Sequence, residues 1–223
     1  SASLDKQIGR PDLLVLFTNT VSHKMLAHTL NVFEQNKNID EIIIVVHKDY
    51  LTETQGIVAE EGLHKVKMII PGGKERYHST LAALNAYPDI NCKLIIHDAV
   101  RLFVTHQMID DTLAALDDYS ACTTAIPSTD TILQSDNSGQ FVNNIPDRST
   151  LFQVQTPQGF LANTLREAYN KALTDPYFFS TDDCGVIKRY LPETPIKIIQ
   201  GSPSNVKLTY KEDISIFERR LLG

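Results

Sequence analysis

Acidic, basic and hydroxyl side chains recur just beyond short apolar runs in this sequence, and their types suit the handling of phosphate esters. The stretch Cys92 to Phe103, CKLIIHDAVRLF, shows the pattern most clearly. Leu94, Ile95 and Ile96 make a run that fits a strand buried on both faces, and Asp98 and Arg101 follow it. In an open α/β sheet, ligands bind beyond the carboxyl ends of the strands. A carboxylate at that place can hold Mg²⁺, which takes oxygen ligands and bridges phosphates. Asp98 is therefore a candidate metal ligand, and Arg101, Arg148 and Lys207 are candidates for neutralising phosphate charge. Gly72 and Gly73 follow another apolar run, where a ligand can approach the backbone closely. Thr129-Asp130-Thr131, Gln155-Thr156-Pro157-Gln158 and Thr181-Asp182-Asp183 recur at the same edge. This is apparatus for phosphoryl or nucleotidyl transfer, in which positioning and electrostatics dominate. Each residue also has a plain structural use. Asp98 can cap a turn and pair with Arg101, the glycines can make an ordinary strand-to-helix turn, and Thr181 and Asp182 suit a helix N-terminus.

The elements that must position these residues alternate along the chain. Strands are expected at Leu13–Phe17, Ile42–His47, Val66–Ile70, residues 93–97, Cys122–Ile126 and Ile196–Ile199. Helices are expected at Met25–Gln35, from a Thr52/Gln55 capping box to about Glu61, at about Glu75–Tyr87, Thr105–Tyr119, Leu161–Leu173 and Asp182–Leu191. A second capping box, Thr209 with Glu212, opens a last helix to Leu222. From Ser128 to Phe152, short β-prone pieces separated by Asp-Asn-Ser-Gly and Pro-Asp predict a β-hairpin arm outside the main sheet. The alternation predicts a mostly parallel, three-layer α/β sheet in a single domain over residues 1–223.

Composition narrows the possibilities. With 223 residues, the chain can bury one full α/β core. The net charge of −6 and the absence of a Lys/Arg run argue against a nucleic-acid binder. Cys92, Cys122 and Cys184 are widely spaced, which indicates neither a zinc site nor a disulfide framework and fits a reducing, cytoplasmic compartment. No apolar run approaches the ~18 residues of a membrane span, and the polar start SASLDKQIGRPD is unlike a signal peptide.

Taken in order, GGKERYHS, HDAVR, PSTDT, DR followed by QTPQ, TDD, and NVKLT followed by ED resemble the cytidylyltransferases that act on methylerythritol 4-phosphate and on ribitol 5-phosphate. The likeness covers roughly residues 24 to 223. It implies a Rossmann-like nucleotidyltransferase fold, with a β-arm exchanged across a homodimer. By resemblance, Asp98 binds Mg²⁺ and the phosphates of CTP. Gly72, Gly73 and Ser79 contact cytosine and ribose, and Lys207 stabilises charge at the α-phosphate. Arg101, Thr131, Arg148, Thr156 and Thr181 bind the sugar-alcohol phosphate, with Arg148 reaching in from the second subunit. The implied reaction transfers CMP from CTP and releases pyrophosphate. The runs ERYHSTLAALNAY and STDDCGVIKRYLP resemble the pentitol-phosphate branch, which makes ribitol 5-phosphate the first expectation for the acceptor and methylerythritol 4-phosphate the second.

One departure from the pattern is large. Such enzymes open with a strand, a loop of the type AGGxGxR and then Pro-Lys-Gln. Here the first 24 residues hold one glycine, Gly9. Either Leu13–Phe17 is the first strand and TNTVSHK replaces the loop, or Leu4-Asp5-Lys6-Gln7 is a remnant of its end and the strand is lost. A chain altered or truncated at its start, a degenerate homologue that binds without turnover, and a scaffold kept for dimerisation are the three expectations this leaves. Leu102 also stands where the family has proline.

Overall fold

The computed structural model describes residues 12–18, 23–89 and 91–208. Nine strands and six helices are ordered β1 Leu13–Thr18, α1 His23–Gln35, β2 Glu41–Val46, α2 Leu51–Glu60, β3 Val66–Pro71, α3 Arg76–Ala86, β4 Lys93–Asp98, α4 His106–Asp118, β5 Ala121–Pro127, β6 Gln134–Ser135, β7 Val142–Asn144, β8 Phe152–Leu161, α5 Ala162–Ala172, α6 Asp183–Tyr190 and β9 Ile196–Gln200 among the described residues. Residues 1–11, which include Gly9 and Leu4–Gln7, and the helix expected from Thr209 lie outside them.

Seven strands form one sheet in the order β3-β2-β1-β4-β8-β5-β9. All neighbours are parallel except β8, which runs antiparallel to both β4 and β5. The apolar runs of β2 and β4 are buried on both faces, as their composition requires, while the edge strands β3 and β9 are more open. In β2, Ile42, Ile44 and Val46 face Leu30 and Phe33 of α1 and Ile109 and Leu113 of α4. Ile43 and Val45 face the other layer, with Leu84 of α3, Leu165 of α5 and Ile187 of α6. This is the expected three-layer α/β architecture.

β1 pairs with β2 on one side and β4 on the other. The strand is therefore present at the centre of the sheet, and the alignment in which it is lost does not hold. The register sets Phe17 beside Asp98. Strand order reverses between β1 and β4, the place where such sheets bind ligands. Residues 19–22, Asn-Thr-Val-Ser, join β1 to α1 and contain no glycine.

Two local expectations are corrected. Thr52 does not cap α2: a 3-10 turn at Lys48–Tyr50 leads directly into the helix, so Thr52 and Gln55 lie inside it. Phe152 onward is not part of the arm or a loop but a ten-residue strand in the main sheet. The hairpin itself is β6 paired with β7, with Gln134 opposite Asn144. The helix expected to start at Thr105 starts one residue later, and Thr105 caps it, its hydroxyl accepting from the Met108 amide at 3.2 Å.

Candidate active site

The β4 carboxyl end carries the chemistry. β4 ends on Asp98, and the chain turns back so that the Arg101 amide donates to the Asp98 carbonyl at 2.9 Å. The Arg101 guanidinium is fixed by two carbonyls, with Nη1 donating to Asn205 at 2.9 Å and Nη2 to Val154 at 3.3 Å. Segment 205–208 is docked on the same turn. Asn205 Nδ2 donates to the Thr156 carbonyl at 2.8 Å, and the Leu208 amide donates to the Val100 carbonyl at 3.0 Å. This docking delivers Lys207, whose Nζ donates to Asp98 Oδ2 at 3.1 Å. Leu102, at the position of the family's proline, is fully buried against Leu208 and helps hold that segment.

Three cations surround the single carboxylate. Besides Lys207, Arg76 Nε stands 3.9 Å from Asp98 Oδ1 and Arg101 Nε stands 3.9 Å from Oδ2. Burial pushes the Asp98 carboxyl up, but Lys207 and Arg76 outweigh it and hold it below the usual carboxylate value. Burial lowers Arg101, partly offset by Asp98. Asp98 Oδ1 accepts no hydrogen bond among the described residues.

Beneath Asp98 lies a buried polar chain. His97 Nε2 is 3.1 Å from the Arg101 carbonyl, which can only accept, so Nε2 carries the ring proton. Nδ1 is then the acceptor, and the Thr156 hydroxyl 3.0 Å away donates to it. The same hydroxyl oxygen accepts from the Asp98 amide at 3.1 Å. Burial lowers His97 to about 4, which keeps the ring neutral.

At the neighbouring strand end, Gly72 and Gly73 lead into α3. A Cβ on Gly72 would lie 2.7 Å from Ser79 Oγ, and one on Gly73 only 2.3 Å from His78 Cβ. The missing side chains thus let the first turn of α3 close onto the glycines, and Ser79 joins them there. The structure brings Asp98, Arg101, Thr156 and Lys207 into one contact network and Gly72, Gly73 and Ser79 into another. Thr131 and Thr181 are exposed and make no hydrogen bond among the described residues. Arg148 lies where the arm returns, its Nη1 donating to the Thr129 carbonyl at 3.1 Å. The Thr156 hydroxyl is turned inward, with its proton committed to His97.

A cleft of about 550 Å³ opens beside Asp98, between the ends of β5, β8 and β9. Arg101, Thr129, Gln153, Gln200 and Lys207 line its polar side. Among the described residues, no three His, Cys, Asp or Glu side chains converge to cage a metal. A lone carboxylate with one oxygen open, whose partners Arg101 and Lys207 line the adjoining cleft, suits Mg²⁺, which binds through one or two carboxylates plus substrate phosphates. Sequence reasoning assigned no role in this centre to His97, Asn205, Arg76 or Asp183. Arg76 and Thr80 share one face of α3 at an i,i+4 spacing and meet at Asp183, a partner that no local signal in the sequence names.

The fold and this cationic strand-end site define a nucleotidyltransferase-type α/β protein. The family model for IspD, 2-C-methyl-D-erythritol 4-phosphate cytidylyltransferase, matches residues 8–221. The 2-C-methyl-D-erythritol 4-phosphate cytidylyltransferase of Bifidobacterium longum (strain DJO10A) is 42% identical over 198 residues, covering 86% of this chain and 68% of that protein. The bifunctional ribulose 5-phosphate reductase/CDP-ribitol pyrophosphorylase Bcs1 of Haemophilus influenzae is 41% identical over 205 residues, covering 91% of this chain and 43% of that protein. The crystal structure of 4-diphosphocytidyl-2C-methyl-D-erythritol synthase from Anaerococcus prevotii superposes with a TM-score of 0.87 at 27% identity, over 100% of both chains. The chain belongs to the IspD family of cytidylyltransferases.

Proposed function

We propose that the chain transfers the cytidylyl group of CTP to the phosphate of a linear sugar alcohol. The observation that carries this reading is the gathering of Lys207, Arg101 and Arg76 around Asp98, with Lys207 and Arg101 also lining the cleft. An oxygen of the acceptor phosphate attacks the α-phosphorus, the bond from that phosphorus to the bridging oxygen breaks, and pyrophosphate leaves with its electron pair. Arg101, rigidly held and lining the cleft, binds the acceptor phosphate. Lys207 is the mobile cation, with its side chain 49% exposed, and it moves from Asp98 to the charge that builds on the α-phosphate oxygens. Gly72, Gly73 and Ser79 form the floor for base and ribose. Asp98 holds Mg²⁺, which when bound neutralises the nucleotide phosphates. Thr131, Arg148 and Thr181 complete the acceptor site, and the exposed apolar residues Phe141, Val142 and Ile145 of the arm seat it on a second copy.

For the acceptor we infer methylerythritol 4-phosphate first, the substrate named for the matching family model and for the Bifidobacterium relative. Ribitol 5-phosphate is the second reading, favoured by the Haemophilus relative, which matches the larger share of this chain. The experiment is pyrophosphate release from Mg²⁺ and CTP with each acceptor in turn. Turnover is expected to fall about 10²–10³-fold in Lys207→Ala, the effect of losing one charge-stabilising donor. Turnover unchanged in Lys207→Ala, or none with either acceptor despite CTP binding, would sink this reading.

A further inference from the structure

A second buried cluster stands behind the site and has no part in the steps above. Asp183 is fully buried. Its Oδ1 accepts from the Thr80 hydroxyl at 2.8 Å and the Tyr169 hydroxyl at 2.6 Å, and its Oδ2 accepts from Arg76 Nη1. It is not needed to start α6, because Asp182 already caps that helix through the Gly185 amide at 2.9 Å. A buried carboxylate is costly unless its charge is matched, and the charge matched here is that of Arg76. The other edge of Arg76 faces Asp98, with Nε 3.9 Å from Oδ1, beyond hydrogen-bond reach. That Oδ1 is the open oxygen of the metal-binding carboxylate. A guanidinium left without Asp183 has an evident alternative partner. It would close about 1 Å onto Asp98 and form the forked pair that arginine and carboxylate favour.

We propose that Asp183 is a positioning residue for the phosphate-binding centre. It anchors Arg76 away from Asp98 and so keeps Asp98 Oδ1 available to a divalent cation carrying nucleotide phosphates. The inference rests on the metal role of Asp98 proposed above. It predicts that Asp183 acts through Arg76, not through the packing of α6 on α3. It also gives the GGKER segment a second task, since Arg76, three residues beyond the glycines proposed to meet the base, holds the charge balance at the next strand end.

The test is Mn²⁺ binding, followed by electron paramagnetic resonance with CTP present and absent, on the full chain. Wild type is compared with Asp183→Asn, Arg76→Met/Asp183→Asn and Tyr169→Phe. The double variant removes the buried pair together, a change that folded proteins tolerate well. Asp183→Asn is expected to weaken Mn²⁺ binding about tenfold, the size of coupling within one ion-pair network. The double variant is expected to recover most of that loss, because no guanidinium remains to close on Asp98. Tyr169→Phe loosens the cluster but leaves both charges, and it is expected to bind as wild type does. Unchanged binding in Asp183→Asn, no recovery in the double variant, or an equal loss in Tyr169→Phe would overturn the proposal. No Mn²⁺ binding by wild type, with or without CTP, would instead overturn the metal role of Asp98, and this inference with it.

Discussion

Replacing Thr156 by valine should uncouple the site from the sheet beneath it. Valine keeps the shape of threonine, so the 5% exposed position stays filled. What disappears is one hydroxyl with two duties: it accepts from the Asp98 amide at 3.1 Å and donates to His97 Nδ1 at 3.0 Å. A buried polar group left unpartnered costs about 1–3 kcal/mol. Two such groups in a network give about 2–4 kcal/mol, allowing for partial relaxation. With an m-value near the upper end of the roughly 1–3 kcal/mol/M range, the urea midpoint should fall by about 1 M. Thr156→Ser restores the hydroxyl and loses one methyl, worth about 1 kcal/mol. The reasoning fails if the valine variant unfolds within about 0.5 kcal/mol of wild type, or if serine and valine cost the same. Because the Asp98 amide is what loosens, the valine variant should also lose pyrophosphate release more than the serine variant does.

The same buried imidazole sets an acid limit. Burial lowers His97 to about 4 from 6.5, so the unfolded chain binds the extra proton between those values. Stability should therefore be intact above about pH 6.5 and fall by about 3 kcal/mol as the pH drops to 4, a slope in the urea midpoint that His97→Asn should flatten. The arm should hold the dimer. Phe141 is 70% exposed, and Phe141→Asp should give a folded monomer by sedimentation while the native chain sediments as a dimer.

The sequence was most legible where burial is uniform. Runs such as IIIVV in β2 and LIIH in β4 have no reading but an interior strand, and their order sufficed for the three-layer sheet. β8 was not legible, and the reason is physical. Its buried stretch from Gln155 to Phe160 carries Gln155, Thr156 and Gln158, polar side chains that hydrogen-bond to Ser202, His97 and Asp182. Periodicity looks for apolar burial and passes over a strand whose interior is polar. Pro157 added to the disguise, and the ladder to β5 does shift register there, between Thr123 and Ala125. The Asp98, Arg101 and Lys207 cluster followed from strand-end logic and resemblance together. The Arg76–Asp183 pair joins residues 107 positions apart, so only packing could reveal it.

The place of β1 decides how the missing glycine loop bears on activity. Among the described residues, the strand is paired on both sides and holds the place beside β4 from which that loop would leave. Residues 19–22, between Thr18 and His23, are the part of the chain that corresponds to that loop. Those residues follow the strand end set beside Asp98, where converging backbone amides would cradle a triphosphate. Of the three cations around Asp98, Arg101 is held by two carbonyls and Arg76 by Asp183, and Lys207, with its side chain 49% exposed, is the one proposed above to follow the moving charge. Replacing residues 19–22 by an AGGxGxR loop should then restore what one cation cannot supply. The expected gain in pyrophosphate release is at least about 10²-fold, since one preorganised donor alone is worth roughly 2.7–4 kcal/mol. The acceptor KM should stay put, because Arg101 and the cleft are untouched. A graft that folds and binds CTP more tightly but turns over no faster would show that the acceptor half, too, has lost its catalytic geometry.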